Sequence, residues 1–415
     1  MLRHYLTMTI AVLKRRPFYT AISLFGISFT LLVLMVFTAM ADHGLAPMAP
    51  ESRLSRMLGV HSARMYGPQS SWSSEAGYAL FDKYARNLPG VETLTIFSGS
   101  QTATTYLGDQ RITSNLKRTD GAFWQVFDFT FLEGGPYGDA DVKDARFVAV
   151  ITRRTRERLF GGANAAGKSF EADGQSFRVV GVIENVSEMR YIPSSDIYAP
   201  LTTAKTDAYK RDIMGGFHAV ALARSTDDLP LIREEFNARV ARMELPDKAF
   251  TALVAPFETR WDSLARESPF ADRTSPDRQG PKLTLFLAIA GLLFVTLPTV
   301  NLVNVTVSRI LERASEIGVR KAFGAPTRSL VAQFVVENVV LTLAGGAIGL
   351  VLSAFVLRAL NQSGLFAFSA FAVNARVFGY GVLLAIAFGL FSGVYPAWRM
   401  ARLHPVEALK GGPSR

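Results

Sequence analysis

The chain has 415 residues, of which 49% are hydrophobic and 19% are charged, and its formal net charge is +10. A mean hydropathy of +0.19 is typical of a membrane protein that carries a substantial water-exposed part. The absence of cysteine excludes disulfides, thiolate nucleophiles and cysteine-ligated metals. The basic residues are scattered and do not alternate with aromatic residues, so the sequence gives no indication of a nucleic-acid partner.

The first membrane-length segment is the uncharged run Phe18–Ala41. A basic segment with apolar residues precedes it, which predicts a short amphipathic helix on the membrane surface. Its basic residues are Arg3, Lys14, Arg15 and Arg16. The basic start, the apolar run and its Ala-Met-Ala end also resemble a cleavable signal peptide. The apolar part of a signal peptide has roughly 7–15 residues, and the longer run here favours an uncleaved transmembrane helix.

Three further apolar runs lie near the C-terminus: Leu283–Val307, Leu330–Leu357, and a run from Val377 to about Trp398. Each is long enough to cross a hydrocarbon core of about 30 Å. The middle one contains Gly345 and Gly349, small residues that let a neighbouring helix approach closely. Together with the first run, these segments predict an α-helical membrane protein with four transmembrane helices.

Lysine and arginine near the ends of the runs predict the orientation, because these residues are enriched in cytoplasmic loops. The N-terminal segment, the stretch Arg309–Arg328 and the C-terminal tail are basic, whereas the loop 359–375 contains neither Lys nor Arg. Both termini are therefore predicted to be cytoplasmic. The long segment between the first and second runs is predicted to lie on the other side of the membrane.

That segment, residues 43–282, is predicted to be a large α+β extracytoplasmic domain inserted between the first and second transmembrane helices. Helical spacing of apolar residues predicts helices at 75–86, 152–160 and 229–243, and strand patterns are found at 146–151, 177–183 and 219–223. The predicted domains are residues 1–42, with the amphipathic and first transmembrane helices, 43–282, and 283–411, with three transmembrane helices and a cytoplasmic loop.

The outer domain contains a sequence that matches the nucleotide-binding pattern G-x-x-x-x-G-K-[ST], at Gly162–Ser169. That pattern binds phosphate when a strand enters the loop and a helix leaves it. Here a predicted helix enters and a predicted strand leaves, and ATP is not supplied outside the cell. The sequence therefore favours a tight helix-to-strand turn over a nucleotide site.

No other pattern for catalysis or metal binding is convincing. Asp139, Asp141 and Asp144 suggest a calcium loop, but the sixth position of an EF-hand loop is Asp144 where glycine is needed, and the twelfth is Val150 where glutamate is needed. A solvated surface loop is the preferred interpretation. The five histidines show no metal-ligand spacing. We therefore predict no catalytic residues, no metal site and no cofactor bound by this chain.

Polar residues within the predicted spans are few. Glu337 lies about two turns inside the third run, and the second run contains Asn301 and Asn304. A charge near the centre of a span costs roughly 2.5–3.5 kcal/mol on insertion scales. Glu337 is expected to pair with Arg328 or to hydrogen-bond with one of the asparagines, as a structural link rather than a transport site.

The stretch Arg309–Arg328 lies between two membrane-length runs and is predicted to contain a short amphipathic helix. Ile310, Ala314, Ile317 and Lys321 share one helical face, and Arg313, Glu316 and Arg320 share another. Gly324 followed by Pro326 is a helix stop signal. A solvated linker and a docking element for a cytoplasmic partner are both compatible with this pattern.

EIGVRKAFGAPTRSLVAQFVVENVV, residues 316–340, closely resembles the signature of MacB/FtsX-type ABC transporter permeases, and YPAWRMARLHPVEALK, residues 395–410, resembles their closing motif. Residues 123–135, 150–170 and 177–186 resemble the MacB-like periplasmic domain. Two departures are Phe323, where leucine is common, and Trp398, where a basic residue is common. The resemblance covers nearly the whole chain.

The resemblance implies a permease subunit in a bacterial inner membrane that works as a homo- or heterodimer with a separate cytoplasmic ABC ATPase, for export or envelope remodelling. ATP would be used by that partner, and the periplasmic domain would be moved by mechanotransmission. A periplasmic adaptor is a further partner that the resemblance allows. The resemblance assigns ATPase coupling to Glu316, Ile317, Gly318, Val319, Arg320, Lys321, Gly324 and Ala325, and the cytoplasmic tail motif to Pro396, Arg399, Pro405, Ala408 and Leu409.

The alternative is a membrane-anchored receptor or sensor whose outer domain binds a ligand. A receptor would be expected to carry a cytoplasmic output domain, and the predicted cytoplasmic segments here are all short. A membrane-embedded enzyme is disfavoured because its spans would need a polar cluster beyond Glu337 and the two asparagines. The sequence does not identify a substrate.

Overall fold

A computed structural model describes residues 17–107, 110–312, 319, 323, 326–383, 386, 387 and 390. The predicted amphipathic helix before residue 17, most of the coupling stretch and the whole tail motif lie outside these described residues. The chain divides into two compact units. The helical unit comprises residues 1–43, 286–365 and 370–415, and the sheet unit comprises residues 44–285 and 366–369.

The helical unit is built from long apolar helices: α1, Pro17–Leu45; α8, Gly280–Glu312, which begins in the sheet unit; and α9, Thr327–Gln362. Residues 375–383 are also helical. Among the described residues, Pro17–Leu45 and Val331–Gln362 are long and apolar enough to cross a membrane, and Gly280–Phe294 is a shorter apolar helix. The count of four transmembrane helices remains a prediction.

The sheet unit is α+β. Its helices are α2, Tyr78–Tyr84; α3, Phe123–Val126; α4, Asp139–Lys143; α5, Arg153–Phe160; α6, Leu229–Ala241; and α7, Arg260–Arg266. Its strands are β1, Met57–Val60; β2, Ala63–Tyr66; β3, Ser71–Ala76; β4, Val91–Ser98; β5, Gln101–Leu107; β6, Gln110–Thr119; β7, Phe131–Gly134; β8, Val148–Thr152; β9, Ser169–Ala172; β10, Gln175–Ile183; β11, Ile197–Pro200; β12, Met214–Gly215; β13, Phe217–Ala223; and β14, Ala252–Val254. Single 3-10 turns occur at Leu54–Arg56, Leu201–Thr203, Ala208–Lys210 and Thr226–Asp228.

The described strands form one mixed sheet in the order β14-β2-β3-β13-β4-β6-β11-β8-β10-β7, with β1, β5, β9 and β12 paired to strands of that path. The pairs β8/β10 and β6/β11 are parallel, and the other pairs are antiparallel. Every residue of β8 is buried. Its continuous apolar sequence, VAVIT, reflects this position, because a strand covered on both faces has no need of alternating polar residues.

The interior of the sheet unit contains three clusters of buried apolar side chains among the described residues. One surrounds Phe81 and Phe236, a second surrounds Phe177, and a third is an aromatic cluster around Phe97 and Phe123. The aromatic cluster includes rings at edge-to-face and tilted angles, with centroids 4.8 Å apart for Phe123 and Phe127. Such pairs stabilise a fold beyond the area that they bury.

Several predicted elements are confirmed with small shifts. The helix predicted at 152–160 is α5, for which Thr152 is the N-cap and Gly161, at φ +61°, is the left-handed C-cap. The helix predicted at 229–243 is α6. The strands predicted at 146–151, 177–183 and 219–223 are β8, β10 and β13.

Two local predictions are wrong. The helix predicted at 75–86 begins only at Tyr78, because Glu75 and Ala76 pair with β12 at the end of β3. The aspartate-rich segment predicted as a surface loop contains the short helix α4. At the N-terminus of this helix the Gly138 N–H donates a hydrogen bond to the Asp141 carboxylate. The local sequence indicates which secondary structure each segment prefers, but strand pairing with a distant segment can override that preference.

One segment is grouped differently from the prediction. Residues 366–369 were placed with the domain 283–411, and they belong to the sheet unit in the structure. The Glu188 N–H donates to the Ala367 carbonyl at 3.2 Å, and the hydroxyls of Ser187 and Ser369 lie 2.7 Å apart. The Arg154 guanidinium lies 5.4 Å from the centre of the Phe368 ring.

Candidate functional site

The predicted coupling residues are almost all beyond the described part of the chain. Of that set the structure describes Val319, which is 47% exposed, and it also describes the neighbouring Phe323, which is 89% exposed. Glu316, Ile317, Gly318, Arg320, Lys321, Gly324 and Ala325 lie outside the described residues, as do Pro396, Arg399, Pro405, Ala408 and Leu409. Their assignment as coupling and tail residues remains a prediction.

Glu337 is buried on α9 and is 4% exposed. Its carboxylate accepts a hydrogen bond from the Gln333 side-chain amide at 3.1 Å, one turn earlier on the same helix. The sequence named Arg328 and the asparagines of the second run as partners. Asn304 is an exposed residue of α8, and the side chains of Asn301 and Arg328 lie outside the described set.

Helix α9 carries several further buried polar side chains that were not singled out from the sequence. They are Gln333, Asn338, Thr342 and Ser353, none more than 7% exposed. Ser353 donates to the carbonyl of Gly349 at 2.6 Å, which satisfies its hydroxyl within the helix. Gln333 stands four residues before Glu337, so the two share one face of the helix, and this spacing was the signal that could have identified Gln333.

Two glycines on α9 allow α1 to approach closely, as predicted for the small residues of this run. A Cβ atom at Gly345 would lie 2.8 Å from Ile27 Cγ2, and one at Gly349 would lie 3.0 Å from the Ser28 carbonyl oxygen. A Cβ contact as short as that at Gly345 is essentially never found in proteins, and the contact at Gly349 would be tighter than nine in ten Cβ contacts. The sequence predicted the close approach, and the structure identifies α1 as the helix involved.

The nucleotide-like loop Gly162–Ser169 follows α5 and leads into β9, which is the reversed order that the sequence predicted. Its amides are used within the protein. The Ala165 and Ala166 N–H groups donate to the Glu133 carboxylate at 2.8 and 3.3 Å, and the Gly167 N–H donates to the Val179 carbonyl at 2.8 Å. These three amides are therefore engaged by a carboxylate and a carbonyl of the protein itself and are not free to bind phosphate.

A polar cavity of about 580 Å³ opens within the sheet unit. It is lined from the β1–β2 turn, from β3, β6 and β13, and from the segment 188–194. Its lining residues include His61, Glu75, Lys117, Tyr191, Ser194 and His218, with Arg64, Arg266, Arg273, Glu188 and Glu267 also contributing. Neither the histidines nor Lys117 could be recognised as a site from the sequence, since the lining residues come from distant segments of the chain.

Lys117 is the most deeply buried charge in this cavity, at 1% exposure. Its ammonium group donates to the main-chain carbonyls of Ile192 and, at 3.4 Å, Tyr191, and it lies 5.4 Å from the centre of the Phe97 ring. Burial lowers the pKa of Lys117 from 10.5 to about 7, although the nearby carboxylates of Glu75 and Glu51 oppose that change.

His61 and His218 lie side by side, with ring centroids 5.8 Å apart. The Nε2 atom of His218 is 3.4 Å from the Glu75 carboxylate, and this interaction lowers the pKa of Glu75. Burial, followed by the charge of His218, lowers the pKa of His61 well below its usual value. In the described part of the chain, the Nδ1 atoms of both rings are buried without a hydrogen-bond partner.

The family assignment comes from comparison with known proteins. A family model for the MacB-like periplasmic core domain matches residues 20–239, and a model for the FtsX-like permease C-terminal domain matches residues 288–405. The chain belongs to the MacB/FtsX-type ABC transporter permeases. Members of this family are components of transporters rather than enzymes. A periplasmic core domain together with apolar helices indicates the inner membrane as the location of this permease.

Individual relatives agree with this assignment. The macrolide export ATP-binding/permease protein MacB of Burkholderia cenocepacia is 28% identical over 69% of this chain and 40% of its own length. An uncharacterized ABC transporter permease of Bacillus subtilis, YvrN, is 25% identical over 83% of this chain and 82% of its own. The permease therefore spans about 40% of the length of that MacB relative and most of the length of YvrN.

Among solved structures, the periplasmic region of MacB from Actinobacillus actinomycetemcomitans is 17% identical, with coverage of 44% of this chain and 83% of its own and a TM-score of 0.35. That score is too low to support an inference about this permease.

Proposed function

We propose that this permease couples ATP hydrolysis by a separate cytoplasmic ABC ATPase to movement of its periplasmic domain. The observation that carries the proposal is the succession of the two family models, with the MacB-like core domain followed by the FtsX-like domain in one chain. The process driven by this movement would be export or envelope remodelling. The proposal names no transported or regulated substance.

The coupling element in this proposal is the basic stretch that contains residues 316–325. A short cytoplasmic helix between two spans is a suitable docking element, since a force applied to it acts on both helices that it joins. Glu316 stands four residues before Arg320, in the order that stabilises a helix by about 0.2–0.5 kcal/mol. Charged groups on one face also give a partner a defined surface to recognise.

The proposed topology has four spans, both termini in the cytoplasm and residues 43–282 in the periplasm. Because the chain contains no cysteine, single introduced cysteines report accessibility without background. We expect Ser73→Cys in β3 to react with a membrane-impermeant maleimide in intact cells with a permeabilised outer membrane. We expect Ser315→Cys, within the basic stretch, to react only after the inner membrane is opened. The opposite pattern would refute the orientation.

The coupling proposal is tested by isolating the permease from its native membrane and measuring how much ABC ATPase is retained with it. Charge reversal at both positions, Glu316→Arg with Arg320→Glu, is expected to reduce ATPase retention at least about tenfold, which corresponds to about 1.4 kcal/mol. Arg376→Glu, a charge reversal placed on the other side of the proposed membrane, is the matched control and is expected to leave retention unchanged. Equal retention in all variants would contradict docking at this stretch.

Dimerisation is a separate part of the proposal. Two differently tagged copies of the permease, expressed together with the ATPase, are expected to copurify if the complex holds two identical permeases. Recovery of one tag with a different permease in its place would instead support a heterodimer. Recovery of a single permease copy in every complex would exclude the dimeric arrangement.

A further inference from the structure

We propose that the polar cavity of the sheet unit binds a small anionic solute, whose carboxylate or phosphate group contacts Lys117 and the pair His61 and His218. This proposal goes beyond coupling to an ATPase and does not rest on it. The cavity, at about 580 Å³, falls within the range of roughly 300–1,000 Å³ that is usual for small-molecule sites.

Lys117 is a buried cation that lacks a carboxylate within hydrogen-bonding distance in the described part of the chain. Other deeply buried cations of the sheet unit have a carboxylate partner: Arg190 lies 2.9 Å from Glu51, and Arg266 lies 2.6 Å from Glu258. Lys117 has only neutral main-chain carbonyls within hydrogen-bonding distance in the described part of the chain. A buried charge without a counterion is costly, and an anion from solution would remove that cost.

The histidine pair lies at the same place and adds polar groups to it. His218 is 7% exposed, and the Nδ1 atoms of both rings find no partner among the described residues. A neutral imidazole carries one N–H group, which His61 can present to an oxyanion, whereas His218, whose Nε2 faces Glu75, can donate from Nδ1 only in its protonated form. A buried polar atom without a partner is unusual in a native interior. The rings and Lys117 all line the same cavity.

The rest of the lining is compatible with a polar solute. The hydroxyl-bearing residues Ser62, Ser73, Ser100 and Ser194 face the cavity, as does Asn115. Of the charged residues, Glu75 is engaged by His218 and Arg266 by Glu258, while Arg64 donates to the Ser73 hydroxyl at 2.6 Å. The remaining charged lining residues are Glu188, Glu267 and Arg273. Because the lining carries both signs of charge, an anion is favoured at the buried end of the cavity, where Lys117 lies, and not throughout the cavity.

This arrangement makes binding depend on pH. In the empty cavity burial lowers the pKa of Lys117 to about 7, so its charge is partly lost near neutral pH. A bound anion favours the charged ammonium, so binding takes up a proton, and affinity is expected to fall as pH rises above 7. The charge of Glu75 opposes an incoming anion, and that of Arg64 favours it.

The test uses the full chain, purified and reconstituted in neutral-lipid nanodiscs. Calorimetric titrations with sulfate and with succinate, at pH 6.5 and pH 8.5, separate a tetrahedral oxyanion from a carboxylate, and both probes keep an almost constant charge between these pH values. We expect saturable binding of one probe, weaker at pH 8.5. We expect Lys117→Met to weaken it at least about tenfold and Lys143→Met, a change at an exposed lysine of the same unit, to leave it unchanged.

Lys117→Met retains an apolar stem and removes only the charged end, and near-ultraviolet circular dichroism checks that the aromatic cluster remains folded. If this variant does not fold, His218→Gln is the second variant, with the same expected loss of affinity. The proposal is overturned if neither probe binds, if binding is the same in Lys117→Met, or if affinity is equal at the two pH values. None of these outcomes depends on retention of an ATPase.

Discussion

The sheet unit is filled by large side chains, whereas α1 and α9 of the helical unit meet where side chains are missing. Phe97, Phe123 and Tyr198 are completely buried in the sheet unit. In the helical unit α1 comes close to α9 at Gly345 and Gly349. Large buried side chains thus stabilise the sheet unit, whereas glycines that let two helices approach stabilise the helical unit.

The physical reason lies in the solvent of each unit. Apolar side chains in a water-exposed domain gain about 25 cal/mol for each Å² removed from water. Helices in a bilayer gain nothing of this kind from each other, because the lipid is as apolar as their side chains, and close packing of the backbones becomes the available source of stability. Removing side-chain volume should therefore destabilise the sheet unit, whereas adding volume at the contact of α1 and α9 should destabilise the helical unit.

The largest expected effect comes from removing volume in the sheet unit. Phe123→Ala deletes a fully buried ring from the aromatic cluster and is expected to lower the free energy of unfolding by about 3–5 kcal/mol. Denaturant unfolding of the full chain in micelles, followed by near-ultraviolet circular dichroism, measures the loss. Phe147→Ala, at a ring that is 46% exposed, is the control with a much smaller expected change. Equal losses would show that the cluster does not carry the stability of the unit.

The next largest effect is a pH dependence of the free energy of unfolding, which comes from the buried Lys117 of the sheet unit. The unfolded chain keeps the proton of Lys117 up to about pH 10.5, and burial lowers the pKa in the folded chain to about 7. The unfolded state thus binds more protons between these values, so stability rises with pH across this window. The contribution is on the order of 1 kcal/mol per pH unit.

Lys117→Met is expected to remove that contribution and flatten the dependence of unfolding free energy on pH between 7 and 10. Thermal unfolding at a series of pH values measures it. The same slope in the parent chain and in Lys117→Met would mean that this lysine is not the group responsible.

Adding volume should harm the helical unit. Gly345→Ala places a methyl group against Ile27 and is expected to cost about 1–3 kcal/mol. Gly26→Ala is the matched control, because nothing lies within 4 Å of a Cβ there and alanine favours a helix over glycine by up to about 1 kcal/mol. Unfolding in mixed detergent micelles compares the two variants. Stabilisation by both would contradict close packing of α1 and α9.

The smallest effect is expected at the surface. Arg146 is 55% exposed and pairs with Asp141 at 3.1 Å and Asp144 at 2.9 Å. Arg146→Ala should change the free energy of unfolding by less than about 0.5–1 kcal/mol, because exposed ion pairs are screened by solvent. The same denaturant titration at low and high salt measures this. A loss of several kcal/mol would show that α4 contributes to the core of the sheet unit.

Much of the fold follows from local pattern. The ends of α5 were predictable because Thr152 caps its start and Gly161 ends it, and both signals act within a few residues. The rejection of a nucleotide loop at 162–169 rested on the order of helix and strand, which the structure confirms. The error at Glu75 has the opposite origin, since β3 is fixed by pairing with β12, more than a hundred residues later in the chain.

The candidate site could not be predicted in the same way. Lys117, His61 and His218 have no common spacing, and they meet because β6, the β1–β2 turn and β13 lie near one another in the sheet unit. Gln333 was equally absent from the expected partners of Glu337, although its position one turn earlier would have suggested it.

The sequence by itself determined the apolar runs, the two glycines of close approach and the motifs of a MacB/FtsX-type permease, because each is written in neighbouring residues and in a helical or strand period. Tertiary structure alone decided that α1 is the helix that meets those glycines, that Lys117 is buried without a carboxylate, and that two histidines lie beside it in one cavity. These are contacts between distant segments, and burial and pKa depend on all the groups that surround a side chain rather than on its neighbours in the chain.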